Sequence, residues 1–363
     1  MTSKAMSAGL ILAALLTLTP AIAPAEPPPP GKSVGVESFG DKSEASTSSK
    51  EGATVASPVE GASDTMGAPA PKPKPKRRRK PKPKPKPPMA ASAAIPTVGE
   101  LTSLPITSYT DWKSLDAENT LVFETSKGPI VVELRPEFAP AAVAQIKKLV
   151  RRNIYDGLLF HRVIDGFVAQ TGNPNNRDGG KSDEPNLTPE FTFRMGADTP
   201  HAVVARPVGG QLGLIGSSPY ESVDEARMAM SPDHRVSAWG AFCAGVVGMG
   251  RDQAPDSANS EIFFMRDPAR RLDRDYAVIG RVIQGLEAVR SMTVGEPPVH
   301  PDKILRAAVM ADLPDAERPK LKILNTMGSD FRKLVDHARA VRGADFSICD
   351  IETPVKPDFG GPH

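Results

Sequence analysis

Thirteen residues concentrate the side chains whose types and spacing suit chemistry: Phe160-His161-Arg162-Val163-Ile164-Asp165-Gly166-Phe167-Val168-Ala169-Gln170-Thr171-Gly172. They read as two short strands around an Asp165-Gly166 turn. Alternation places Phe160 and Arg162 on one face of the first strand, with His161 and Val163 on the other. Phe167, Val168 and Gln170 follow the turn. One cation, apolar groups and one amide gathered on a sheet surface suit a neutral ligand that offers a carbonyl to polarise and a ring to pack.

Other elements must hold these strands. Leu121-Val122-Phe123-Glu124 and Ile130 to Leu134 alternate apolar and polar residues around Ser126-Lys127-Gly128, a hairpin pattern. Pro140 to Asn153 carries Val143, Ile146, Leu149 and Val150 at helical spacing. Pro140 sits in its first turn and Arg151-Arg152 near its end, which suits the helix dipole. Further short apolar runs at Ala202–Ala205, Leu212–Gly216, Gly245–Met249, Ile262–Met265, Tyr276–Ile283 and Ile304–Leu313 read as strands. Glu221–Met230 and Gly285–Met292 read as short helices. Many strands with few helices predict a mainly β fold, a closed antiparallel β-barrel with capping helices over residues 105–313. Beyond Pro314, Phe331, Leu334, Val335, Ala338 and Val341 predict a helix capped by Ser329 or Asp330 and ended by Gly343. Phe346 to Ile351 reads as a strand. This extension, residues 314–363, is too small to fold alone and is expected to dock on the barrel.

The chain has 363 residues, 38 prolines and only 5% aromatic residues, and prolines crowd its first hundred positions. Its net charge of +2 conceals a division. Pro71 to Pro88 holds seven lysines, three arginines and no acid, so the remainder stands at −8. Lys4 and the apolar run Leu10 to Leu18 read as a secretory signal peptide, cleaved after Ala23-Pro24-Ala25. An uncleaved inner-membrane anchor is the alternative. The expected location is periplasmic or secreted. Residues 26–104 are poor in large apolar groups and are expected to be a disordered linker. Its Pro-Lys alternation favours an extended polyproline stalk of roughly 56 Å at ~3.1 Å per residue. The cations Lys72 to Lys86 suit a solvated spacer or contact with an anionic surface. No aromatic residue interleaves them to stack bases, so no nucleic acid is expected. Cys243 and Cys349, the two cysteines, form no CxxC or Cys/His cluster, and no metal site is indicated. They could pair in an oxidising compartment or remain buried thiols; spacing leaves both open.

The thirteen-residue stretch resembles the active-site signature of the cyclophilins, the peptidyl-prolyl isomerases, written F-H-R-V-I-x-G-F-x-x-Q-x-G. Four further segments resemble the family in order: Gly179-Gly180-Lys181-Ser182, Gly245 to Met249, Ser260-Glu261-Ile262-Phe263-Phe264, and Leu272-Asp273 through Tyr276 to Gly280. The resemblance covers roughly Leu121 to Leu313. It implies that Arg162 donates to the proline nitrogen as the amide twists, and that Gln170 holds the peptide carbonyl or orients Arg162. It implies a substrate surface of Phe160, Phe167, Val168, Gly250, Arg251, Glu261, Phe263, Leu272 and Tyr276. His161 is expected to be scaffold. No cofactor, metal or nucleophile is required. The implied partners are proline-containing peptides and unfolded exported proteins, met by a monomer. A non-catalytic peptide-binding chaperone using the same groove is the alternative reading. Four departures stand out. Arg271 takes the place of a tryptophan that lines the cyclosporin pocket in many members, Tyr276 stands where many have histidine, Glu261 replaces a glutamine, and about forty extra residues lie near 196–240. That insertion contains Ile215, Met228, Met230 and Trp239 and is expected to pack as a flap, a candidate substrate gate.

Overall fold

A computed structural model describes residues 109–358 except residue 178; the expected signal peptide and the Pro/Lys-rich linker lie outside the described residues. The hairpin pattern becomes β2 (Thr120–Thr125) and β3 (Gly128–Leu134), paired from Thr120↔Glu133 to Thr125↔Gly128. Sheet residues also form β4 (Arg162–Ile164), β5 (Val168–Thr171), β11 (Val246–Met249), β12 (Ile262–Met265), β13 (Val278–Gln284) and β14 (Ile304–Val309). They join in the order β14-β2-β3-β13-β11-β12-β5-β4, antiparallel throughout. The fold is mainly β, as expected, but the barrel is not closed. Its edge strands β14 and β4 form no ladder, and single bridges Leu159–Lys303 and Val163–Gly295 connect the two margins. The physical reason is local. β4 has three residues, and the chain approaching β14 contains Pro297, Pro298 and Pro301, which lack the donors a ladder needs. The result is a curled half-barrel around Phe123, Phe160 and Phe264, whose rings meet at 5.7 and 6.0 Å.

Helix α1 (Pro140–Arg151) seals the sheet with Ala142, Val143, Ile146, Leu149 and Val150. Proline enters at the first turn, and Lys148 and Arg151 occupy the last. No neighbouring side chain caps its start. Glu190, far along the chain, instead accepts from the N–H groups of Ala141 and Ala142 at 3.0 and 2.9 Å. Helix α2 (Leu286–Arg290) is a short cap after β13.

The extra residues build a sheet of their own. It comprises β6 (Phe193–Met195), β7 (Ala202–Ala205), β8 (Gly210–Ile215), β9 (Ser218–Val223) and β10 (Val236–Gly240), ordered β6-β10-β9-β8-β7. The helix expected over Glu221–Met230 is overturned. Residues up to Val223 belong to β9, and a 3-10 turn follows at Glu225–Met230, its Asp224 side chain accepting from the Ala226 N–H. Pairing with β8 and β10 overrides the helical spacing.

The extension forms β15 (Leu321–Leu324), helix α3 (Ser329–Arg342) and β16 (Val355–Pro357). β15 pairs with β16 and with β1 (Trp112–Ser114). Phe331, Leu334, Val335 and Ala338 are buried, and Gly343 ends α3 at φ 56°, a conformation that glycine adopts without strain. The strand expected at Phe346–Ile351 is a 3-10 turn, because Ser347 and Asp350 cap it reciprocally. A disulfide joins Cys243 to Cys349 and ties this extension to the sheet.

Asp330 does not cap α3. Its carboxylate accepts from the N–H groups of Thr110 and Asp111 at 2.7 and 3.3 Å, and Lys333 Nζ approaches at 2.9 Å. These donors hold its pKa well below the usual carboxylate range. Stabilisation from Asp330 is therefore complete above the unfolded-state pKa and is lost as pH falls through the depressed folded value. Asp330→Asn should lower the melting temperature at pH 7, and the deficit should shrink below about pH 4. A deficit independent of pH in calorimetry would contradict this.

Candidate active-site groove

A groove of about 870 Å³ lies on the sheet where β4, β5, β12 and β11 run side by side. Strand register builds it. Arg162 stands opposite Gln170, Gln170 opposite Phe263, and Phe263 opposite Gly248, so one row crosses four strands on one face. Gly248 leaves the room that Phe263 occupies, since a Cβ there would stand 2.6 Å from the ring. Phe242 stacks on Phe263 at 5.7 Å, and Tyr276 meets Phe263 edge-on at 5.6 Å. The groove thus has an apolar floor beside a cation and an amide.

The polar groups form a chain. Arg162 Nη1 donates to Gln170 Oε1 at 3.2 Å, and Gln170 Nε2 donates to Glu261 Oε2 at 2.6 Å. Glu261 in turn stands 3.9 Å from His161, which is 2% exposed and sits behind the groove. On its other side, Arg162 Nε donates to Glu296 Oε2 at 2.7 Å. The amide of Gln170 thus links Arg162 to Glu261, with its second N–H not engaged by any described residue. Tyr155 supports the row from beneath. Burial, and secondarily the charge of Glu261, push its phenol well up, so it stays protonated and donates to the Ser260 carbonyl at 2.5 Å. Arg251 lies over Tyr276 at 4.5 Å, and Arg271 lies over Phe167 at 4.4 Å.

Arg162, Phe167, Val168, Gln170, Gly250, Arg251, Glu261, Phe263, Leu272 and Tyr276 all line this one groove. Phe160 does not. It is fully buried against Phe264, and its N–H donates to the Asp302 carbonyl at 2.8 Å. Strand β4 begins only at Arg162, so alternation does not extend back to Phe160. The N–H of Gly250 is engaged with the Glu261 carbonyl, and that of Asp252 with Ser257. No described residue of 196–240 lines the groove. The insertion buttresses the floor from the side: Arg270 bonds Glu221 at 2.5 Å, and Gly240 packs on Val278.

Asp252 and Gln253 also line the groove, and nothing but their adjacency to Arg251 points to them. Glu296 carries no local signal at all; 134 residues separate it from Arg162.

The cyclophilin-type peptidyl-prolyl cis-trans isomerase/CLD family model matches residues 120–309. The chain is 36% identical over 204 residues to a probable peptidyl-prolyl cis-trans isomerase of Brucella suis biovar 1 (strain 1330), spanning 54% of this chain and 85% of that protein. It is 29% identical over 168 residues to peptidyl-prolyl cis-trans isomerase B of Bacillus subtilis (strain 168), spanning 46% and 85%. Among solved structures, the cyclophilin AquaCyp293 from Hirschia baltica superposes with a TM-score of 0.63 at 37% identity, over 68% of this chain and 93% of that one. The matched family segment encloses the whole row from Arg162 to Phe263 and all eight strands of the sheet that carries it; the chain belongs to the cyclophilin-type peptidyl-prolyl cis-trans isomerases.

Proposed function

We propose that this isomerase works on X-Pro bonds of exported proteins during folding, with Arg162 stabilising the twisted amide. An X-Pro bond resists rotation because resonance gives C–N double-bond character, with a barrier of about 18–20 kcal/mol. Twisting leaves a lone pair on the proline nitrogen. A guanidinium donor placed there bonds the twisted state more strongly than the planar one, which is what lowers a barrier. A thousandfold acceleration needs only about 4 kcal/mol. Phe263, Phe167 and Leu272 supply the ring pocket, and Gln170 holds Arg162 in place.

The observation that carries this reading is the register Arg162–Gln170–Phe263, which sets donor, orienting amide and ring floor in one row. It also favours turnover over mere peptide capture. An oxidising compartment accords with the signal-like N-terminus and the Cys243–Cys349 bond. A protease-coupled prolyl peptide assay on the full chain tests activity. Pulse-labelled localisation of the tagged protein tests export, and retention in the cytoplasm would defeat that part.

Glu296 acts as a positioning residue for Arg162. Glu296→Gln should lower kcat about two- to fivefold, the range of an exposed ion pair, with KM unchanged. A rise in KM at constant kcat would place Glu296 on the substrate instead.

A further inference from the structure

A second cavity, of about 500 Å³, shares no lining residue with the groove. It opens where three parts of the chain meet: Ser217 from the insertion, Arg281 and Leu286 from the sheet and its following helix, and Glu352 and Thr353 from the extension. Arg281 is 4% exposed. Its Nε donates to the Ala244 carbonyl at 3.3 Å, and its Nη1 donates to the carbonyls of Ser217 and Ile351 at 3.1 and 3.0 Å. It makes no ion pair among the described residues. Glu352 acts on it only from a greater distance, and burial pushes the guanidinium below its ordinary range.

A structural staple explains Nε and Nη1, since each holds a separate part of the chain. It leaves three features unexplained. Arg281 Nη2 makes no hydrogen bond among the described residues. Ser217 Oγ and Thr353 Oγ1 are buried with no hydrogen-bond partner among the described residues, and both residues line the same cavity. The two hydroxyls are closed off from the cavity, whereas Arg281 Nη2 is open to it, and a bound acceptor that pairs this donor satisfies a cation otherwise held away from bulk water. The volume is that of a small-molecule site and far exceeds one water.

The lining charges set the ligand's character. The buried cation lies deep, whereas Glu352 is half-buried and Glu287 is exposed at the rim. Arg290 is engaged elsewhere, with the Arg266 carbonyl and Asp267. A plain anion would meet the two carboxylates, and a plain cation would meet Arg281. Val282 and Leu286 supply apolar wall between them. We propose that this cavity binds a zwitterion of dipeptide size, its carboxylate on Arg281 and its ammonium toward Glu352.

Alanyl-leucine, which contains no proline, is the probe. It would be titrated into the isotope-labelled full chain while amide resonances are followed. N-acetyl-alanyl-leucine and alanyl-leucinamide are the controls, each lacking one charge. Saturable shifts are expected at Ala244, Val282, Leu286 and Thr353, with both blocked forms binding about tenfold weaker or worse, the effect of one lost charged hydrogen bond. Arg281 variants endanger folding, so Glu352→Gln serves instead. It should make alanyl-leucine and its acetylated form bind alike while prolyl isomerase activity is unchanged. Absence of saturable shifts at these four amides, shifts confined to Gln170 and Phe263 in the groove, or equal binding of all three probes would overturn the proposal.

Discussion

Arg162→Ala is expected to lower kcat/KM about 10²- to 10³-fold, the loss that follows removal of one preorganised donor from a charge-developing transition state. The side chain is only half-buried, and its strand is held by backbone pairing to β5, so the fold should survive. Because the bond to the proline nitrogen strengthens only as the amide twists, the fall should appear in kcat and in kcat/KM together. Arg162→Lys should recover part of the loss. It keeps the charge but not the fork that meets Gln170 and Glu296 at the same time. A near wild-type rate for Arg162→Ala, measured with the circular dichroism spectrum intact, would remove Arg162 from the mechanism.

The second large effect concerns stability. The Cys243–Cys349 bond closes a loop across 106 positions. A loop near this length restricts the unfolded chain enough to contribute about 3–5 kcal/mol in the chain-entropy model. The Cys243→Ser/Cys349→Ser double variant should therefore melt roughly 6–20 °C lower. The bond has a second consequence. Phe242, beside Cys243, stacks on the groove residue Phe263, and Asp273 accepts from the Phe242 N–H at 2.9 Å. The aromatic contacts remain in the variant, so prolyl turnover at low temperature should be retained. Coincident urea transitions for the oxidised protein and the double variant would contradict the assignment, as would titration of two free thiols in the native protein.

The hairpin part of the groove was legible in the chain because its chemistry is local and strand-periodic. Arg162, Phe167 and Gln170 lie within nine residues, and a short hairpin brings them together whatever else the chain does. The amphipathic helix Pro140–Arg151 was legible for the same reason: a 3.6-residue period and a proline entry are properties of the segment itself. The ring floor at Phe263, like Gly250, Arg251, Glu261, Leu272 and Tyr276, was implied only by the family resemblance of its segment. Local pattern misled where a segment's partners outweighed its own spacing. Phe160 kept the period of the strand but lies before it, in the core. Residues 221–223 had helical spacing, yet cross-strand pairing drew them into β9. Residues 346–351 were apolar enough for a strand, yet the reciprocal Ser347–Asp350 cap made them a turn.

What only the tertiary structure decided are relations between distant residues, for which no segment carries a signal. The pairing of Cys243 with Cys349 was open on spacing, and proximity settled it at a Cα separation of 5.0 Å. Glu296 reaches Arg162, Glu190 caps a helix 48 residues earlier, and Asp330 binds the start of the described chain. The open margin of the sheet and the cavity around Arg281 belong to the same class. Side-chain period and capping act over a few residues and are written in order along the chain. Charge pairing, sheet closure and cavity shape act through space, and arise only when the insertion, the half-barrel and the extension have packed together.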